Sequence, residues 1–182
     1  HAMPGKALLA RVCHFLQTEY GLKDDNTHFA TSLCPDEINN KIGGLQDLMK
    51  DCYGQLFCLG GISGAPLTGK TGYNAFAHHV PDNGNIVLLF GPHVGITSTG
   101  EVGSTLRSGQ SNHSTACGAT IGAYNALCHC TSIDDEFDQN DFQMDWIKSQ
   151  IAPHMTHISE SENPMSALAY QAFDMVQGKL DE

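Results

Sequence analysis

The sequence has few basic residues and no long hydrophobic run. Lys and Arg together number 9, against 20 Asp and Glu, in a chain of 182 residues. We therefore expect no nucleic-acid partner, because contacts to phosphates need clustered Lys and Arg. An anionic membrane surface is disfavoured for the same reason, and no apolar run approaches the roughly 20 residues that cross a bilayer. Most of the net charge of -11 falls in residues 134–182, which we interpret as a solvated helical surface.

The sequence also lacks a disulfide framework. Its 7 cysteines are an odd number, and their spacing is not that of a disulfide-rich secreted domain. Free thiols favour an intracellular, reducing compartment, either the cytosol or the interior of an organelle. No secretory signal is visible. Residues 1–3 (His-Ala-Met) are interpreted as the remnant of an expression tag, so we expect that a native targeting segment has been removed.

The alternation of apolar segments predicts a single α/β domain over residues 1–182. Strands are predicted at 29–33, 55–61 and 85–90, and a hairpin at 94–106. Helices are predicted at 5–19, 35–52, 73–79, 114–128, 138–151 and 163–178. Strands that alternate with helices indicate a mostly parallel β-sheet flanked by helices. The segment NIVLLF at 85–90 is the most apolar strand and is predicted to lie at the centre of the sheet, buried on both faces.

Residues 64–71 read GAPLTGKT, which has the spelling of a phosphate-binding loop. In such a loop Lys70 would contact the terminal phosphates and Thr71 would contact magnesium. A working nucleotide site also needs an acidic residue for the magnesium, but NIVLLF ends in Gly-Pro-His without one. We therefore interpret the spelling as coincidental, and a P-loop nucleotide-binding enzyme stays a distant alternative.

Three residues at the predicted ends of elements form a candidate zinc site. Cys34 follows a strand and precedes a helix start, and His93 lies beyond the carboxyl end of a strand, where α/β sheets bind their ligands. Cys117 lies in the first turn of a predicted helix, a position that favours the thiolate. Each of these residues alone is more often structural. Together they can supply a Cys-His-Cys zinc site with an open fourth position.

Four stretches of the chain resemble the limiting-CO2-inducible protein family of algae, whose members are similar to β-type carbonic anhydrases in fold and zinc site. The stretches are CPDEINN, GKTGYNAFAHHVPDNGNIVLLFGPHVGI, GEVGSTLRSGQ and STACGATIGA. The β-type enzymes carry a Cys-x-Asp-x-Arg segment and a His-x-x-Cys segment. This sequence matches Cys34, Asp36 and His93, but it has Ile38 in place of the arginine and Ile96 in place of the last cysteine.

The resemblance implies a replacement for the missing cysteine, whereas the arginine is assigned by elimination. Cys117 is expected to take the place of the missing ligand. Arg107 is our candidate for the partner of Asp36, because the only other arginine, Arg11, lies in the first predicted helix.

The function implied by the resemblance is that of a zinc-dependent carbonic anhydrase. Such an enzyme hydrates CO2 reversibly to bicarbonate by a zinc-bound hydroxide, which Asp36 would orient. His78, His79 and His113 are candidate proton shuttles, and for each the alternative is a surface or capping role. The resemblance also implies a homodimer in the chloroplast stroma, within a CO2-concentrating mechanism. A catalytically silent zinc-binding scaffold or sensor of the same fold is the alternative function.

Overall fold

The computed structural model describes most of the chain. The described residues are 3–40, 42–129 and 138–180. Two residues of the expected tag remnant, 1–2, and parts of the acidic stretch, 134–137 and 181–182, lie outside them. None of the described helices is both long enough and apolar enough to span a bilayer.

A parallel sheet of three strands carries the carboxyl-terminal edge at which the candidate site forms. The strands are β1 (Thr27–Leu33), β2 (Leu56–Cys58) and β3 (Asn85–Gly91), in the spatial order β2-β1-β3. β1 pairs with β3 over its full length, so Leu33 lies opposite Gly91 where both strands end. The parallel α/β class predicted from the sequence is confirmed.

The predicted position of the strand at 85–90 is wrong. β1 is the central strand, and β3 has no second neighbour among the described strands. Ile86 of β3 is 49% exposed, whereas Phe29 and Ala30 of β1 are fully buried. A continuous apolar run does not separate a central strand from an edge strand when helices cover both faces of the sheet.

Helices pack on both faces of the sheet and follow one another up to Leu180. Those of the described residues are α1 (Gly5–Tyr20), α2 (Leu45–Tyr53), α3 (Gly69–Ala77), α4 (Gly118–His129), α5 (Phe142–Ile151), α6 (Met155–Ser159) and α7 (Pro164–Leu180). The predicted helix at 35–52 is divided into a 3-10 turn, Glu37–Asn40, and α2. The break falls at Gly43, whose φ of +73° lies outside the helical region.

A small antiparallel pair replaces the start of the helix predicted from residue 114. β4 (Ser104–Thr105) pairs with β5 (Ser114–Thr115), and α4 begins only at Gly118. The predicted hairpin at 94–106 is present as a bridge between Ile96 and Val102, with a tight turn between them. The polar Ser-Thr pairs gave no apolar signal that would have marked them as strands.

The core is divided by the sheet into two layers that hold β1 in place. On one face Phe29 packs with Leu9 and Cys13 of α1 and with Met49 and Tyr53 of α2. On the other face Ala30 packs with Leu59 and Phe76. A separate cluster joins α4, α5, α6 and α7 through Ile121, Ile147, Ile151, Ile158 and Leu168. Since α4 is anchored there, its first residues are fixed beside the end of β1.

Candidate metal centre

The ends of three elements bring the two cysteines and the histidine together. Cys34 follows β1 directly, and His93 lies two residues beyond β3, at the same end of the sheet. Cys117 directly precedes α4, and its carbonyl oxygen accepts a hydrogen bond from the Ile121 N–H at 3.1 Å. The parallel pairing of β1 with β3 thus positions two of the side chains, and the start of α4 supplies the third.

The donor atoms of these residues converge. One ligand atom from each of Cys34, His93 and Cys117 lies within 4.8 Å of the other two, and the two Sγ atoms are 3.7 Å apart. Both cysteines are buried. Among the described residues no hydrogen-bond partner meets either ring nitrogen of His93, although both nitrogens are buried. An unpaired buried polar atom is costly, so this arrangement fits a metal ion bound by the imidazole.

The donor set matches the preferences of zinc. Zinc takes thiolate and imidazole ligands, and catalytic sites have three protein ligands with one position open. A hydrogen bond from the Cys34 thiol lowers the pKa of Cys117 against the effect of burial. The nearby His93 ring and the Thr120 backbone N–H act in the same direction, so the Cys117 thiolate is favoured even without a metal. The hydrogen bond shared with Cys117 and burial raise the pKa of Cys34. A metal would replace the proton shared by the two sulfurs.

Ser63 and Thr120 lie beside this cluster and are bonded to each other, although sequence analysis did not single them out. The Ser63 backbone N–H donates a hydrogen bond to Cys34 Sγ at 3.3 Å. The Ser63 hydroxyl is hydrogen-bonded to the Thr120 hydroxyl, and both residues are buried. Because 57 residues separate them in the sequence, no local pattern marked either one.

An ion pair lies beside the cluster. Arg107 Nη2 donates a hydrogen bond to Asp36 Oδ2 at 2.9 Å, and the same guanidinium also contacts Glu37, the Ser114 hydroxyl and the Thr115 carbonyl. Hydrogen bonds to Glu37 and then to Asp36 raise the pKa of Arg107. The second carboxylate oxygen of Asp36, Oδ1, accepts the Ile38 N–H at 3.2 Å. The β4–β5 pair fixes the approach of Arg107, because Ser114 and Thr115 form β5.

Two cavities adjoin the candidate centre from different sides. A polar cavity of about 390 Å³ is lined by both cysteines and by Asp36, Arg107 and Ser114 among others. A larger cavity of about 610 Å³ is lined by His93 and by apolar side chains that include Ile38, Ile42, Leu45 and Leu48. The cluster therefore lies between a charged opening and an apolar one.

A family model now connects this geometry with known proteins. The model of the limiting CO2-inducible proteins B/C beta carbonic anhydrases matches residues 2–182. The chain belongs to this family.

Solved structures agree with the family assignment. The crystal structure of PtLCIB4, a homolog of the limiting CO2-inducible protein LCIB, is 30% identical with a TM-score of 0.85, over 97% of this chain and 72% of that one. A mutant of PtLCIB4 matches with a TM-score of 0.86. The structure of LCIB itself is 22% identical over 98% of this chain and 73% of that one, and its TM-score of 0.70 shows the same fold. None of the curated proteins matches.

The two departures from the β-type pattern have clear positions in this family member. Ile96 is 63% exposed and forms a bridge with Val102. The third residue of the Cys-His-Cys cluster is instead Cys117, at the start of α4. Ile38 lines the apolar cavity, and the cationic partner of Asp36 is Arg107, from the segment after β4.

The phosphate-loop spelling corresponds to a packed loop in this family member. The backbone N–H groups of Gly64, Ala65 and Leu67 already donate to the carbonyls of Gly61, Ile62 and Ala65. Phosphate binding by such a loop depends on free N–H groups that point at the ligand. The loop instead lies against the metal centre, since the N–H of its neighbour Ser63 reaches Cys34.

The three candidate shuttle histidines lie in different surroundings. His79 packs against the rings of His28 and Phe57, with ring centroids 6.0 and 5.5 Å apart, and His78 is the C-cap residue that follows α3. His113 Nδ1 lies 3.8 Å from Glu101 Oε2, and His113 immediately precedes Ser114, which contacts Arg107. A shuttle role for any of them stays a prediction.

Proposed function

We propose that this protein is a zinc-dependent carbonic anhydrase that catalyses the reversible hydration of CO2 to bicarbonate. The observation that carries the proposal is the convergence of Cys34, His93 and Cys117 within 4.8 Å, with both ring nitrogens of His93 buried and unpaired among the described residues. Membership of the β-carbonic-anhydrase-like family supports the same reaction.

Cys34, His93 and Cys117 would hold the zinc ion. Two thiolates and a neutral imidazole compensate the charge of Zn2+ and leave one coordination position open. The bound ion would supply a Lewis acid that lowers the pKa of a water molecule at that position.

Asp36 would accept a hydrogen bond from the reacting water, and Arg107 would hold Asp36 in place. The carboxylate of Asp36 has lone pairs that are not used by Arg107 or Ile38, and these can accept a hydrogen bond from the water and fix its orientation. Arg107 holds the carboxylate in one position through its bond to Oδ2, while Glu37 and Ser114 hold the guanidinium. The result is a pre-oriented acceptor.

The two cavities suit the two sides of the reaction. CO2 is small and without charge, so the apolar cavity that Ile38, Ile42 and Leu45 line beside His93 would admit it. Bicarbonate is an anion, and the cavity lined by Arg107 offers it a cationic exit. The chain can therefore separate the entry of CO2 from the release of bicarbonate.

A stopped-flow assay of CO2 hydration by the zinc-loaded protein tests the proposal. We expect activity in the native chain, a loss of about a hundredfold in Asp36→Asn, and native activity in Asp47→Asn, a surface control. Asp47 pairs only with Lys50 and the Gly43 N–H in the described structure. Zinc-loaded native protein that does not hydrate CO2 would overturn the enzymatic proposal.

The same assay distinguishes an active carbonic anhydrase from a catalytically silent zinc-binding protein. Ile38 stands where β-type enzymes carry an arginine, and this departure is the observation that favours a silent zinc-binding scaffold or sensor. Bound zinc without CO2 hydration would support that alternative. The homodimer, the chloroplast stroma and a place in a CO2-concentrating mechanism stay predictions.

A further inference from the structure

Ser63 has a backbone conformation that is unusual for its residue type. Its φ of 65° and ψ of 1° lie in the left-handed region, and it is fully buried in the 3-10 turn Ile62–Gly64. Glycine adopts this conformation without a steric penalty, whereas serine does so only when its surroundings hold it there. The side chain therefore has contacts that a glycine would lack.

Ser63 connects Cys34 of the candidate metal centre with the first turn of α4, which follows Cys117 directly. The Ser63 N–H donates to Cys34 Sγ at 3.3 Å, and the Ser63 and Thr120 hydroxyl oxygens are 2.5 Å apart. Thr120 belongs to the first turn of α4, three residues after Cys117. Ser63 thus contacts Cys34 through its backbone N–H and contacts the start of α4 through its side chain.

We propose that Ser63 and Thr120 are a pair of positioning residues for the metal centre. Their hydroxyl bridge fixes the turn that follows β2 against the start of α4, and so sets the separation of the two sulfurs. The Ser63 N–H withdraws charge from the Cys34 thiolate and would weaken its donation to the metal. Residues that orient ligands in this way tune both metal affinity and metal electronics. The inference rests on the metal-binding part of the proposed function, not on CO2 hydration.

Cobalt is the probe that reports on the sulfur atoms directly. The protein is titrated with Co2+ while the thiolate-to-cobalt charge-transfer band is recorded, and zinc affinity is measured by competition with a chelator. The variants are Ser63→Gly, which keeps the N–H and suits the backbone, and Thr120→Val, which has nearly the same shape. Thr120→Ser restores the hydroxyl. Thr31→Val is the matched control, because the Thr31 hydroxyl is buried without a partner among the described residues.

We expect both Ser63→Gly and Thr120→Val to weaken metal binding about tenfold or more and to shift the charge-transfer band. The double variant should lose less binding free energy for the metal than the sum of the losses in the two single variants, because each single variant already removes the same hydroxyl bridge. Thr120→Ser and Thr31→Val should behave like the native protein. Folding of each variant is checked by circular dichroism.

The outcomes distinguish this inference from the function on which it rests. Native affinity and an unshifted band in both folded variants would overturn the positioning role and leave the metal centre intact. A native chain that binds neither cobalt nor zinc would overturn both. Native protein that binds metal but lacks CO2 hydration would leave the positioning role standing.

Discussion

Arg107 Nη2 lies 2.9 Å from Asp36 Oδ2, although 71 residues separate the two in the sequence. Both side chains are mostly buried, and Arg107 is held from its other side by Glu37 and Ser114. The ion pair therefore has a fixed geometry, unlike the mobile pairs of an exposed surface. It supplies from a distant segment the arginine that the segment starting at Cys34 lacks.

Replacing Arg107 should lower catalysis without removing the metal. In Arg107→Leu the Asp36 carboxylate loses its orienting partner, so we expect kcat/KM for CO2 hydration to fall about a hundredfold. Zinc content, measured on the same preparation, should stay native. Arg11→Leu is the matched control, since Arg11 is exposed on α1 and is the only other arginine. Equal activity in the two variants would contradict the role given to the ion pair.

Replacing Gly64 should damage the fold at the point where the loop meets β3. Gly64 has a φ of +76°, and an added Cβ would lie 2.4 Å from the Gly91 carbonyl oxygen. We expect Gly64→Ala to lower the free energy of unfolding by about 3 kcal/mol or more, because backbone strain and a backbone clash add together. Urea unfolding measures the difference.

Gly69→Ala is the control for the backbone strain alone. Its φ is +72°, but no atom lies within 4 Å of an added Cβ. We expect Gly69→Ala to lower the free energy of unfolding by about 1 kcal/mol. Equal losses in the two variants would show that close packing against Gly91 has no effect.

Nucleotides should not stabilise the protein. The N–H groups of the loop at 64–67 are already bonded, and Lys70 is exposed on α3. A ligand that binds the folded state raises the melting temperature, so Mg-ATP and Mg-GTP should leave it unchanged in native protein and in Lys70→Ala. A nucleotide-dependent rise that Lys70→Ala abolishes would instead support the P-loop alternative.

Acid should destabilise the fold partly through His28. This side chain stacks on Phe76 at 5.0 Å and lies near Phe57 and His79, and its Nε2 is buried without a partner among the described residues. Burial, and then the charge of His79, lower the pKa of His28 in the folded state. The unfolded state therefore binds the proton more readily, and stability falls as the pH drops below about 6.5.

His28→Phe tests this dependence. The free energy of unfolding is measured by urea at several pH values between neutral and about pH 5, the range in which an unfolded histidine gains its proton. The variant should lose less stability than the native protein over that range. The same loss in both proteins would assign the pH dependence to other groups.

The sequence was most informative where an element ends in a residue with chemical function. The strands before Cys34 and His93 were predicted near their observed bounds, and parallel pairing then requires their ends to meet. The prediction of the central strand was wrong, because an apolar run does not reveal which strands lie beside it. β1, not β3, is the central strand. The onset of α4 was also misplaced, since β5 is formed by a polar Ser-Thr pair.

The surroundings of the metal centre were less accessible to sequence reasoning. Ser63 and Thr120 meet only because the turn after β2 packs against α4, and neither belongs to a local motif. A serine with positive φ gives no signal in the sequence. The pairing of Arg107 with Asp36 was reached by elimination among two arginines, and Glu37 and Ser114, which hold that arginine, were missed.

The zinc content per chain is the decisive test of the Cys34-His93-Cys117 metal centre. Elemental mass spectrometry is applied to native protein, to Cys117→Ser and to Cys58→Ser, a control at an exposed cysteine of β2 outside the cluster. We expect about one zinc ion per chain in native protein and in Cys58→Ser, and almost none in Cys117→Ser. Folded native protein without zinc, or full zinc occupancy in Cys117→Ser, would rule out this metal centre.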